Sequence, residues 1–153
     1  MTIFPRDEEG DPIFWDYQFK GFFKDACGAL RKVSKSACSK VKAYKKEIDG
    51  LIFIEPRKIK IHLPEGGEIS TCQRPLRAQT AQGERIALAN SETVPAGSWC
   101  EIEITTLKDD LEDMIRECLA YGKFKGMGQW RNSSKGRFIF EQEGDMDKSD
   151  LAL

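Results

Sequence analysis

Between Phe19 and Val33 the apolar residues Phe19, Phe22, Phe23, Ala26, Leu30 and Val33 recur at three- and four-residue intervals. That spacing sets them on one side of an α-helix. A helix with one apolar side must bury it against a second layer, which rules out an extended or purely β chain. A second stripe follows at Leu111, Met114, Ile115, Cys118 and Leu119. Asp16 stands where the first helix would be capped, and Asp109 or Asp110 caps the second. Asp110, Glu112 and Asp113 fall in the second helix's first turn, where the helix dipole favours acids. The expectation is two helices, near Asp16–Val33 and Asp109–Tyr121, with Gly122 just past the end of the second. Gly21 and Gly28 lie inside the first stripe and would let another backbone approach.

Strand signals separate the two stripes. Ile13–Trp15 is a very short candidate and Leu51–Ile54 a buried one. In Arg57–Leu63, Ile59, Ile61 and Leu63 alternate with Lys58, Lys60 and His62, the period of a strand with one buried face. Trp99–Leu107 and Gly136–Glu141 read the same way, the latter with Phe138 and Phe140 inward. Between them Arg74, Arg77 and Arg85 flank an Ala81-Gln82-Gly83-Glu84 turn, which reads as a protruding hairpin. The order is helix, two strands, hairpin insertion, strand, helix, strand. That is most of a βαββαβ, ferredoxin-like α+β pattern of the RRM type: an antiparallel sheet with two helices on one face. Its first strand is reduced to Ile13–Trp15 or missing. Residues 1–143 read as one domain, Ser34–Lys46 as a mobile basic loop, and 144–153 as a disordered acidic tail.

A chain of 153 residues buries a real core without staples. Its longest aliphatic or aromatic run, Leu51–Ile54, is far too short to span a bilayer, and Met1–Gly10 has no apolar leader. A cytoplasmic location follows. The five cysteines are odd in number, widely spaced and without a CxxC pair. Free, mostly buried thiols in a reducing compartment are expected, with no metal site and no cofactor. The net charge of −1 conceals an asymmetry: twelve Lys/Arg against four Asp/Glu between Lys20 and Lys60. A mild pI therefore does not exclude a polyanionic partner.

Chemistry concentrates in Gly122–Arg137. Gly126, Gly128 and Gly136 permit positive φ and close approach to the main chain. Successive backbone amides in such a turn form an anion nest. Lys123, Lys125, Arg131, Lys135 and Arg137 add charge for phosphates. Trp130 offers a stacking surface, and Asn132, Ser133 and Ser134 can donate to phosphate or ribose oxygens. The alternative is a helix end followed by a tight turn with Trp130 in the core. Support for catalysis is slight. His62 is the one histidine, on the polar side of a candidate strand, and Tyr44-Lys45-Lys46 is a combination common in basic loops. Asp109-Asp110 is accounted for by helix capping, so no catalytic residue is assigned.

The run Pro95-Ala-Gly-Ser-Trp-Cys-Glu-Ile-Glu-Ile104, a helix, and then Gly126-Met-Gly-Gln-Trp-Arg-Asn-Ser-Ser-Lys-Gly-Arg-Phe138 resembles the C-terminal half of RAMP proteins. These are the ferredoxin-like RNA-binding subunits of CRISPR effector complexes. Gln18-Phe-Lys-Gly-Phe-Phe-Lys-Asp-Ala26 resembles the start of that family's first helix. Gln73–Thr80 and Gly126–Ser133 also resemble segments of small phage-borne proteins. The resemblance implies an RNA partner, of single-stranded guide type, held by Lys20, Lys24, Arg74, Arg77, Gly126, Gly128, Trp130, Arg131, Asn132, Lys135, Gly136 and Arg137. Arg74 and Arg77, at i and i+3 on the hairpin, would grip adjacent phosphates. It leaves two further readings: an anti-CRISPR inhibitor that imitates a backbone subunit and docks on effector proteins, or self-associates, through an open sheet edge; and a metal-independent endoribonuclease.

Overall fold

A computed structural model describes residues 3–127 and 136–142; within the hairpin it describes the backbone alone for residues 74–80, 85–87 and 89. Along the chain run β1 (Ile13–Trp15), α1 (Asp16–Leu30), α2 (Ala37–Lys40), α3 (Tyr44–Leu51), β2 (Ile52–Glu55), β3 (Lys58–Lys60), β4 (Ser70–Thr80), β5 (Gly83–Thr93), β6 (Glu103–Thr106) and α4 (Asp110–Lys125). The protein is therefore α+β, with antiparallel strands. The described strands form three two-stranded ladders, β1–β3, β2–β6 and β4–β5. Its contacts gather into two units: residues 1–15 with Pro56–Ile102, and Asp16–Glu55 with residues 103–153.

In the first unit β1 runs antiparallel to β3, with Phe14 opposite Ile59. Ile59 and Ile61 are buried while Lys58 and Lys60 are exposed, as the alternation requires. Lys58 pairs with Glu8 at 2.8 Å and Lys60 with Asp11 at 2.9 Å. Beyond β3 the chain makes a single antiparallel bridge, His62 to Trp99, closed by two backbone bonds of 2.7 and 2.9 Å. The expected hairpin is present as β4–β5, joined through Ala81-Gln82, with Gly83 at φ +110°. Glu92 near its base accepts from the Phe4 amide at 2.9 Å and from Arg6 at 2.6 Å, holding the N-terminal strap there.

In the second unit α1 packs on α4, α3 and β2. Phe19, Phe22, Phe23, Ala26 and Cys27 of α1 and Leu111, Met114, Ile115 and Cys118 of α4 are buried, so both stripes form core. Helix α1 ends at Leu30, earlier than the stripe suggests, and Val33 is exposed. Helix α4 runs past Gly122 to Lys125. Gly122 is a buried helical residue there, and the left-handed end falls at Gly126, φ +78°.

Two expectations are corrected. Ser34–Lys46 is folded, not an irregular loop. The Ser36 side chain caps α2 by accepting from the Ser39 amide at 3.1 Å, and Cys38 and Val41 are buried. The Glu117 carboxylate, on α4, accepts from the Ala37 and Cys38 amides at 2.8 and 3.3 Å. The Arg31 guanidinium lies 4.9 Å over the Tyr44 ring and donates to the Val41 carbonyl. Gly28 makes room for the Tyr44 hydroxyl rather than for a backbone, and Gly21 faces open space. The second correction is Gly136–Glu141, which is not a strand. The Phe138 amide bonds the Gly122 carbonyl at 3.2 Å, and Phe140 is exposed.

The cysteines divide by burial. Cys27, Cys38 and Cys118 are fully buried, with Cys38 and Cys118 sulfurs 3.7 Å apart, while Cys72 and Cys100 are half-buried. Hydrogen bonds from the Cys118 and then the Cys38 thiol hold the Cys27 thiol below its usual range, against burial. Hydrogen bonds with the Cys118 and then the Cys27 thiol push Cys38 up, with burial adding to the effect. A thiol reagent added to native protein is expected to modify Cys72 first, Cys100 more slowly because burial raises its thiol, and the other three only on unfolding. Mass spectrometry of partly labelled protein checks this, and early labelling of Cys118 would contradict the α1–α4 packing.

Candidate nucleic-acid interface

The site is built from the end of α4 outward. Gly122 lies under the Phe138 ring, so closely that an added Cβ would come within 2.3 Å of it. That ring meets Phe22 edge-on, with centroids 5.2 Å apart. One turn on, Gly126 leaves the helix with its amide still bonded to the Gly122 carbonyl at 3.0 Å. The Met127 amide then donates to the Gly136 carbonyl at 2.9 Å. Gly136, also at φ +78°, allows this crossing: a Cβ there would sit 1.8 Å from the Met127 carbonyl oxygen. Glycine is required at both positions, because left-handed φ and backbone-on-backbone contact coincide.

The two ends of the glycine-rich segment are thus clasped in a neck. Gly128, Trp130, Arg131, Asn132 and Lys135 lie outside the described residues, so neither the stacking nor the core reading of Trp130 is decided. At the neck itself Lys123 and Arg137 are exposed and Lys125 is half-buried. None of the ion pairs among the described residues involves any of the three.

The remaining described site candidates are on α1 and in the hairpin. Lys20 and Lys24, one turn apart on α1, both reach the Asp49 end of α3. Lys24 pairs with the Asp49 carboxylate; Lys20 reaches the Asp49 carbonyl at 3.3 Å and stands 5.4 Å over the Phe53 ring. Arg74 stands opposite Ala89 and Arg77 opposite Ile86 in the hairpin. The structure brings together Gly126, Gly136 and Arg137, with Lys123 and Lys125.

The His62 ring stacks on Trp99, with centroids 4.1 Å apart and planes 17° from parallel. Tyr44 is committed to Gly28 and Arg31. Asp7, Glu9 and Asp11 bring carboxylate oxygens within 4.8 Å of one another, the one such group among the described residues, and Asp11 already pairs with Lys60. No described helix is long and apolar enough to cross a membrane. Compared with known protein families and with curated proteins, the chain matches none.

Proposed function

We propose that this chain is a non-catalytic RNA-binding protein of RAMP type, encoded by a phage or mobile element and acting in the cytoplasm. The observation that carries the reading is the glycine neck: two left-handed glycines clasp a basic segment while Lys123, Lys125 and Arg137 stand beside it outside every described ion pair. Cations outside every described ion pair, gathered beside one turn, suit a phosphate backbone. The antiparallel β2–β6 ladder, with α1 before it and α4 after it in sequence, supports a ferredoxin-like arrangement. A second reading, an inhibitor that docks on CRISPR effector proteins, is favoured by the two-stranded ladders, which leave strand edges for augmentation among the described residues.

Titrating a labelled RNA strand at several salt concentrations tests the first reading. Replacing Arg131 and Arg137 by Ala is expected to lower the slope of log K against log salt by roughly 1.4, two single-strand phosphate contacts. Trp130→Ala is expected to cost about 1–3 kcal/mol with little change in slope, because stacking releases no counterions. A parent protein that binds no RNA but co-purifies with an effector complex would put the inhibitor reading in its place.

A further inference from the structure

From Ala26 to Lys46 the chain has no acidic residue and seven basic ones: Arg31, Lys32, Lys35, Lys40, Lys42, Lys45 and Lys46. Arg31 is used structurally, over Tyr44. The six lysines are all exposed, and none enters an ion pair among the described residues. This differs from Lys24, Lys58, Lys60 and Lys108, which each face a carboxylate.

The six share one folded corner. Val33 and Ser36 amides return to Leu30 and Val33 carbonyls at 2.9 and 3.2 Å. Ser39 and Val41 amides return to Ser36 and Cys38 carbonyls at 3.2 and 3.4 Å, and Ala43, at φ +50°, starts α3. Buried Cys38 and Val41 anchor this corner, and Glu117 holds its first two amides. Like charges concentrated in one corner repel one another and oppose the compact state. The repulsion is relieved by a polyanion laid across them, with release of its counterions.

We propose that Lys32, Lys35, Lys40, Lys42, Lys45 and Lys46 form a second, sequence-independent surface for the phosphate backbone of RNA, distinct from the glycine neck. Lysines are point charges without the bidentate fork of arginine, which suits phosphates rather than base edges. An anionic membrane is the less suitable partner. A helix lying on lipid buries an apolar face, and here Cys38 and Val41 are turned into the core, with Val33 the one exposed large apolar residue of the corner. The proposal deepens the RNA-binding reading without depending on the neck.

The test uses the full chain, a labelled single-stranded RNA and vesicles containing phosphatidylserine. Changing Lys40, Lys42, Lys45 and Lys46 together to Gln is expected to weaken RNA binding at least about tenfold at 0.1 M salt and to lower the salt slope by about 0.7 for each lost contact. The same four positions changed to Arg are expected to bind like the parent, with unchanged circular dichroism in both variants. RNA affinity unchanged in the Gln variant, or a parent that binds the vesicles and not the RNA, overturns the proposal. If the Gln variant loses binding while the Arg131/Arg137 variant keeps it, this surface stands and the neck reading falls. The reverse pattern removes this surface and leaves the neck, and a parent that binds no RNA removes both.

Discussion

Phe23→Ala is expected to lower the unfolding free energy by about 3–5 kcal/mol. Phe23 is the largest of the fully buried side chains among the described residues. It lies on the inward side of α1, beside Phe22 with ring centroids 5.7 Å apart, and its carbonyl faces the Cys118 sulfur of α4 at 3.9 Å. Truncation removes the transfer energy of the ring and leaves a space that two helices cannot easily close. A domain of ordinary stability has about 5–15 kcal/mol in all, so the variant loses a large fraction of it. At roughly 2–4 °C per kcal/mol for a chain of this size, the midpoint falls by about 10 °C. Urea titration with an unchanged slope, together with a thermal melt, measures the loss. A cost below about 1 kcal/mol would mean that the α1 stripe does not face the core.

Gly136→Ala is expected to abolish the neck while sparing the helices. The added Cβ meets the Met127 carbonyl oxygen at 1.8 Å, and the other close atoms, at 2.9 and 3.0 Å, are also backbone. No side chain can turn aside to relieve the overlap. A left-handed φ of +78° adds strain for any residue with a Cβ. The bond from the Met127 amide to the Gly136 carbonyl must break, and the ends of the basic segment separate. RNA affinity is expected to fall at least about tenfold, because freeing the segment returns the ordering cost to each binding event. Gly21→Ala is the control: nothing lies within 4 Å of the new methyl, and alanine favours the helix by about 1 kcal/mol. Parent-like RNA binding by the Gly136 variant would remove the neck from the site.

How much of this was readable in the sequence depends on whether the forces are local. The two stripes placed α1 and α4 because a periodic apolar face survives any tertiary setting. The hairpin was legible for a similar reason, its turn residues being local. Helices α2 and α3 were not, because Ser34–Lys46 has no period, and what folds it comes from far along the chain. Glu117 is eighty positions from Ala37, and its carboxylate caps the first amides of α2. Gly136–Glu141 misled in the opposite direction: Phe138 and Phe140 alternate like a strand, yet the Phe138 amide is taken by the Gly122 carbonyl. Of the candidate site, the glycines and Arg137 were marked by composition. The lysine corner was hidden by its reading as a loop, although the absence of acids over that stretch is a signal that could have marked it.

The β2–β6 ladder also says where the chain tolerates a change of length. Glu55 and Glu103 are partners in its register, so the whole segment Pro56–Ile102 departs from and returns to one rung. Joining those two glutamates through an Asn-Gly turn would turn the ladder into an ordinary hairpin, since such two-residue connections match the twist of paired strands. The β4–β5 arm and the His62–Trp99 bridge belong wholly to the segment so removed. That excision also takes β3 from β1, so a tag, a reporter or a foreign domain with closely spaced ends exchanged for Pro56–Ile102 at this rung has to supply β1 with a new partner strand.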